Sequence, residues 1–170
     1  MTTVVVPFGS VEEQGERLPL GADALLADRV GREVASRLDA VLAPTVRVGF
    51  AERHMHGAGT LTLRPGTLTD VACEIGESLA RHGFRVIALV STHGGNAEPL
   101  RVAVERLNAT LDGAMACAPE GDVGPDPGAH SGEWLTSVMA ADSARGAANL
   151  ERFVASIVGD VAGVVRSPRR

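Results

Sequence analysis

Short apolar runs of strand length alternate along this chain with longer stretches whose apolar residues recur every three or four positions. The run at 4–8, ended by Gly9, predicts a strand. Leu25, Leu26, Val30, Val34 and Leu38 recur at helical spacing and predict a helix over Ala22–Leu38. A short strand is expected at 41–45 and a third at 60–63. Leu68, Val71, Ile75 and Leu79 share one face of a helix at 66–82, which Gly83 stops. Val86–Ser91 carries the strongest strand pattern, bounded by Arg85 and the Gly94–Gly95 pair. A helix at 97–111, a strand at 114–118 and helices at 133–141 and 149–165 complete the pattern. Continuous apolar strands interleaved with amphipathic helices belong to parallel sheets buried on both faces. The predicted fold is therefore a three-layer α/β domain with a mostly parallel sheet covered by helices on both faces. One domain spans 1–165, with a frayed C-terminal tail at 166–170. The stretch 119–129, rich in proline, glycine and acids, reads as a loop.

Composition narrows the function. The chain has 170 residues, 45% apolar and 22% charged, as soluble domains do. No apolar stretch approaches the ~18 residues of a membrane span. The start lacks the basic segment of a signal peptide, which predicts a cytoplasmic protein with no membrane partner. Net charge is −5 and no basic patch is interleaved with aromatics, so no nucleic-acid partner is expected. All 16 basic residues are arginine. Without lysine there is neither a Schiff base nor a phosphate-loop lysine contact. Cys73 and Cys117 sit in apolar contexts and read as structural thiols.

In open parallel sheets, ligands bind beyond the carboxyl ends of strands. The polar residues there are Ser10, Glu12, Glu13, Gln14, Glu16 and Asp23 after the first strand. Ser91, Thr92, His93 and Asn96 follow the strand at Val86–Ser91, and His130 and Glu133 follow the strand at 114–118. Carboxylate oxygen combined with imidazole nitrogen suits zinc, manganese or ferrous iron. Plainer readings stand beside this one. An acidic loop can be solvated surface, a histidine after a strand can be a cap, and HGGN can be a helix entry that holds an anion on backbone amides.

Four segments carry a more specific signal. GSVEEQGERLPLGAD at 9–23 resembles the creatininase-family signature GSxEQHGPHLPLxTD. STHGGN at 91–96 resembles the family's NGHGGN, and HSGEWLTS at 130–137 its HAGxxETS. GAGT at 57–60 sits where the family has its F-P-G-T turn, with His54 at the preceding histidine. The resemblance implies a metal-dependent amidohydrolase that cleaves a C–N bond in a cyclic amide, a formamide or a short peptide end. The HGGN form leans toward the family's mycofactocin-maturation peptidase and formamidopyrimidine deformylase branches. Implied metal ligands are Glu12, Asp23 and His93, with Gln14 at a fourth ligand position, and the implied cofactor is a divalent metal, zinc first. His130 matches the catalytic histidine that hands a proton to the leaving nitrogen, with Glu133 beside it. Ser91, Asn96, His54, Trp134 and Arg17 are the expected substrate contacts. The implied partners are a small-molecule or short-peptide substrate and a second copy in a homo-oligomer.

The chain also departs from that pattern. Gln14 replaces the histidine of QHG, which holds the second ion of binuclear members. Arg17 replaces the histidine of the PHLP element, and Leu135 replaces the glutamate of ETS. The segment that relatives carry between the ETS helix and the last helix is largely missing. Two functions follow: a hydrolase with one strong metal site, or a degenerate, non-catalytic relative that serves as a binding or interaction module.

Overall fold

The computed structural model of the chain describes residues 2–124, 132–140 and 143–166. His130 therefore lies outside the described residues, as do 167–170 of the expected tail; Arg166 closes the last helix.

Two apolar strands form the centre: β1 (Thr3–Phe8) and, after a long excursion, β3 (Val86–Ser91). They pair in parallel along their full lengths, from Thr3 opposite Val86 to Phe8 opposite Ser91. β2 (Val41–Leu42) flanks β1, and β4 (Met115–Cys117) flanks β3, giving an all-parallel sheet in the order β2-β1-β3-β4. Proline is tolerated in β1 because β2 pairs only with Val4 and Val5. Pro7 lies beyond that ladder, where a missing N–H breaks nothing on that side.

Side-chain alternation sends each central strand into two cores. Val5, Val86, Ala88 and Val90 face α1 (Ala22–Leu38) and α5 (Ala144–Arg166), with α4 (Glu133–Met139) beside them. Val4, Val6, Phe8, Ile87 and Leu89 face α2 (Pro65–Arg81) and α3 (Ala97–Thr110). The expected three-layer α/β architecture is observed. No helix among the described residues is long and apolar enough to cross a membrane.

Four expectations need correction. Residues 60–63 form no strand of the sheet; Leu61 makes an isolated antiparallel bridge to Val11 and is 52% exposed. Thr60 is buried and Leu63 packs on the α2/α3 core, but the segment's backbone finds no strand of the sheet to pair with. The second strand stops at Leu42, with one further bridge between Val46 and Phe8. The last helix starts at Ala144, five residues before the expected position, and α4 ends at Met139.

Candidate metal centre

The β1–β3 pair lies where the chain's strand order reverses, the place at which parallel sheets open a crevice beyond their carboxyl ends. β1 ends at Phe8, and the loop behind it carries Ser10, Glu12 and Gln14 inward before α1 begins with Asp23 in its first turn. Gly9 permits this close return, because a Cβ there would collide with the backbone of Ala24. β3 ends at Ser91, and His93 follows in extended backbone before a single 3-10 turn at Gly94–Asn96.

Glu12, Asp23 and His93 meet there, each buried, with one ligand atom from each lying within 4.8 Å of the others. His93 Nδ1 is 3.2 Å from Glu12 Oε2 and 3.4 Å from Asp23 Oδ2. A tetrahedral ion with bonds of about 2.1 Å has ligands about 3.4 Å apart, so both separations fit it. The opposite nitrogen, Nε2, is 3.0 Å from the carbonyl oxygen of Phe50. That oxygen can only accept, so in the neutral ring the proton sits on Nε2 and the Nδ1 lone pair faces the carboxylates. Two buried carboxylates and one imidazole form a doubly negative donor set that a divalent ion neutralises. The residues fit zinc or manganese.

Without an ion, a proton does part of that work. Burial opposes the His93 imidazolium, but the hydrogen bond to Asp23 and the charges of Glu12 and Asp23 outweigh it and raise the pKa. Proton and metal thus compete for one lone pair.

A second set of groups fixes the first. Ser10 Oγ donates to Glu12 Oε2 at 3.0 Å. Thr92 Oγ1 donates to the Asp23 carbonyl at 2.7 Å. Asn96, fully buried, donates to the Gly9 carbonyl and accepts from the Phe50 N–H, both at 3.0 Å. It thereby ties the loop after β1 to the segment whose carbonyl orients His93. Ser91 Oγ donates to the His93 carbonyl and accepts from the His93 N–H. Asn96 and Ser91, expected as substrate contacts, are hydrogen-bonded into the framework behind the centre. Asn96 Nδ2 also donates to Ser91 Oγ at 3.3 Å, joining the two.

Gln14 was expected at a fourth ligand position. Its Nε2 lies 3.0 Å from Asp23 Oδ2 and 3.2 Å from Glu12 Oε1, so the amide donates to both carboxylates. Two acceptor-only carboxylates select that orientation. His54 does reach the centre, with Nε2 3.8 Å from Glu12 Oε1. Thr60 holds its loop in place, donating to the His54 carbonyl and accepting from the Glu13 N–H. His56 is exposed on the same loop.

Beside Gln14 opens a cleft of about 670 Å³, whose lining includes Arg17, Glu133, Thr136 and Arg145. Glu133 pairs with Arg145 at 2.9 Å. Arg17 is exposed at this cleft. Trp134 is not in its wall. The indole, expected as a substrate contact, packs on Phe153, ring centres 5.1 Å apart, among the side chains of the α1/α5 core. Both cysteine thiols are pushed up by burial, Cys117 to about 12, as structural thiols are. Ser10 and the Phe50 carbonyl are the functional groups to which sequence reasoning gave no role. Gly95 was the available signal, since a Cβ there would strike both the Phe50 oxygen and the His93 ring.

A family model described as creatinine amidohydrolase matches residues 1–152. The mycofactocin precursor peptide peptidase of Mycobacterium ulcerans (strain Agy99) is 36% identical over 148 residues, covering 81% of this chain and 57% of that protein. The chain thus spans little more than half the length of that curated relative. A crystal structure of creatinine amidohydrolase (creatininase) superposes with a TM-score of 0.79 at 23% identity, over 99% of this chain and 92% of that one. A mutant creatininase of Zn-Zn type gives 0.78 at 22% identity, over the same shares. At these identities, the two structures speak to the fold alone.

Proposed function

Because the chain belongs to the creatininase family, we propose that it is a metal-dependent amidohydrolase that cleaves a C–N bond of a small amide or a short peptide end. The buried Glu12–Asp23–His93 triad at ligand spacing is the observation that carries this reading. A divalent ion held there would supply Lewis acidity, polarising a carbonyl and acidifying water toward a pKa of ~7.

The chain's own residues have separate tasks. Phe50 and Ser10 keep the imidazole and the Glu12 carboxylate aimed at one point. Arg17 presents a fixed positive charge at the cleft beside Gln14, suited to a carboxylate or carbonyl oxygen of the substrate. His54 is close enough to Glu12 to contact a molecule seated over it. An amine leaves poorly unless protonated, and His130 is our candidate donor to the leaving nitrogen. Glu133 lines the cleft and is our candidate for the carboxylate that supports that donor. The cleft volume suits a small molecule or the end of a peptide.

The test is hydrolysis of a panel containing creatinine, an N-formyl amine and short peptides, read by mass spectrometry. The purified chain is stripped with EDTA and then given zinc or manganese. Cleavage should vanish with chelation, return with metal, and fall at least about 100-fold in Asp23→Asn. Cleavage that survives both chelation and Asp23→Asn overturns the proposal. So does a fully metal-loaded chain that cleaves nothing in the panel, which would favour the non-catalytic binding role.

A further inference from the structure

We infer that Gln14 closes one side of the carboxylate pair and restricts the centre to a single divalent ion. The inference rests on the proposal that an ion binds at all. Its own support is the way the carboxylate oxygens are shared. Glu12 Oε2 faces His93 Nδ1 and the Ser10 hydroxyl, at 3.2 and 3.0 Å. Its other oxygen, Oε1, faces Gln14 Nε2 at 3.2 Å and His54 Nε2 at 3.8 Å. Asp23 Oδ2 lies between the two groups, 3.4 Å from His93 Nδ1 and 3.0 Å from Gln14 Nε2. The pair therefore has a His93 side, with a lone pair to give, and a side closed by the Gln14 amide, with hydrogens to give, where the His54 imidazole stands farther off.

An amide nitrogen carries two donor hydrogens and no lone pair for a metal. Gln14 spends them on the two carboxylates that a second, bridging cation would have to share. It is 2% exposed, enclosed against the two carboxylates to which it donates. Turning the amide over would set its oxygen against two carboxylate oxygens, an all-acceptor contact. Gln14 is thus a positioning residue: a neutral clamp that fixes the spacing of Glu12 and Asp23 without adding charge.

The experiment counts ions. The full chain, stripped with EDTA, is titrated by calorimetry with zinc chloride and separately with manganese chloride. Elemental analysis after gel filtration gives the bound stoichiometry. Wild type should take one ion per chain. Gln14→His, which replaces the clamp by an imidazole lone pair, should take two, the second ion gaining 10–100-fold or more in affinity over wild type. Gln14→Ala should keep a stoichiometry of one and lose about 10–100-fold in affinity, because the carboxylates are no longer held. Two ions in wild type, or a stoichiometry that stays at one in a folded Gln14→His, overturns the role of Gln14 while leaving the hydrolase proposal standing. No ion in wild type overturns both. Thermal melts establish that each variant is folded, and two ions in wild type overturn the role of Gln14 whether or not the variants fold.

Discussion

Gly95→Ala is the sharpest probe of how the centre is held, because the perturbation is one methyl group and its neighbours are known. A Cβ at Gly95 would come closer than 3.0 Å to both the Phe50 carbonyl oxygen and His93 Nε2, the two ends of the hydrogen bond that orients the imidazole. Neither end can retreat freely. Phe50 is tied through its N–H to Asn96, and His93 Nδ1 faces two buried carboxylates. Overpacking of this kind costs about 1–3 kcal/mol. For a domain of this size that lowers Tm by about 2–12 °C. A ring pushed off the carbonyl also loses its aim, and the loss of such a supporting bond typically weakens metal binding about 10–100-fold. Gly94→Ala is the matched control, since a Cβ there meets nothing within 4 Å. Melts in EDTA and zinc titration calorimetry on both variants are the assays. If Gly95→Ala behaves like Gly94→Ala in both, the Phe50–His93 bond does not organise the site.

The raised His93 pKa makes stability depend on pH in a definite direction. A folded pKa above the unfolded value of about 6.5 adds stability that is complete below that value and lost as pH climbs through the folded pKa. Metal-free protein should therefore melt at lower temperature as pH rises from about 6.5 through the raised pKa, and zinc-saturated protein should not; an EDTA melting curve that rises over that window contradicts the assignment. In the core, Ile157 is fully buried against the α1 side of the sheet, so Ile157→Ala should cost about 2–5 kcal/mol in urea unfolding. A loss under about 1 kcal/mol would mean that α5 is not part of the core.

Periodicity revealed Ala22–Leu38 and Val86–Ser91 to the residue because each buries a continuous face. It failed where the backbone found no strand to pair with. Residues 60–63 alternate like a strand, yet only Leu61 bridges to another segment. The opposite failure occurred at the start of α5. Residues 144–148 carry no large apolar side chain to set a period, and a helix there needs only the good propensity of alanine and the packing that follows. In the centre, strand ends brought Glu12, Asp23 and His93 forward among other polar residues, and the resemblance to the creatininase signatures singled out the three. The Phe50 carbonyl was not legible, because every residue carries one and only the fold selects which is used. Gln14 was legible as a departure, but the direction of its amide depends on two carboxylates whose approach only the tertiary structure fixes.

The separation of β1 and β3 in the chain has a kinetic consequence. Val4 lies opposite Ile87, so everything between them forms one large loop that must close before the central ladder exists. Parallel pairings between such distant segments form slowly compared with local helices. Glu12 and Asp23 belong to the N-terminal side of that loop and His93 to its far end. Until the loop closes, the two acids lack the imidazole and the Phe50 carbonyl that orients it. The donor set is therefore absent from the early, helix-rich stages of folding. Ion uptake by a refolding chain would time the docking of its two central strands, after collapse and independently of it.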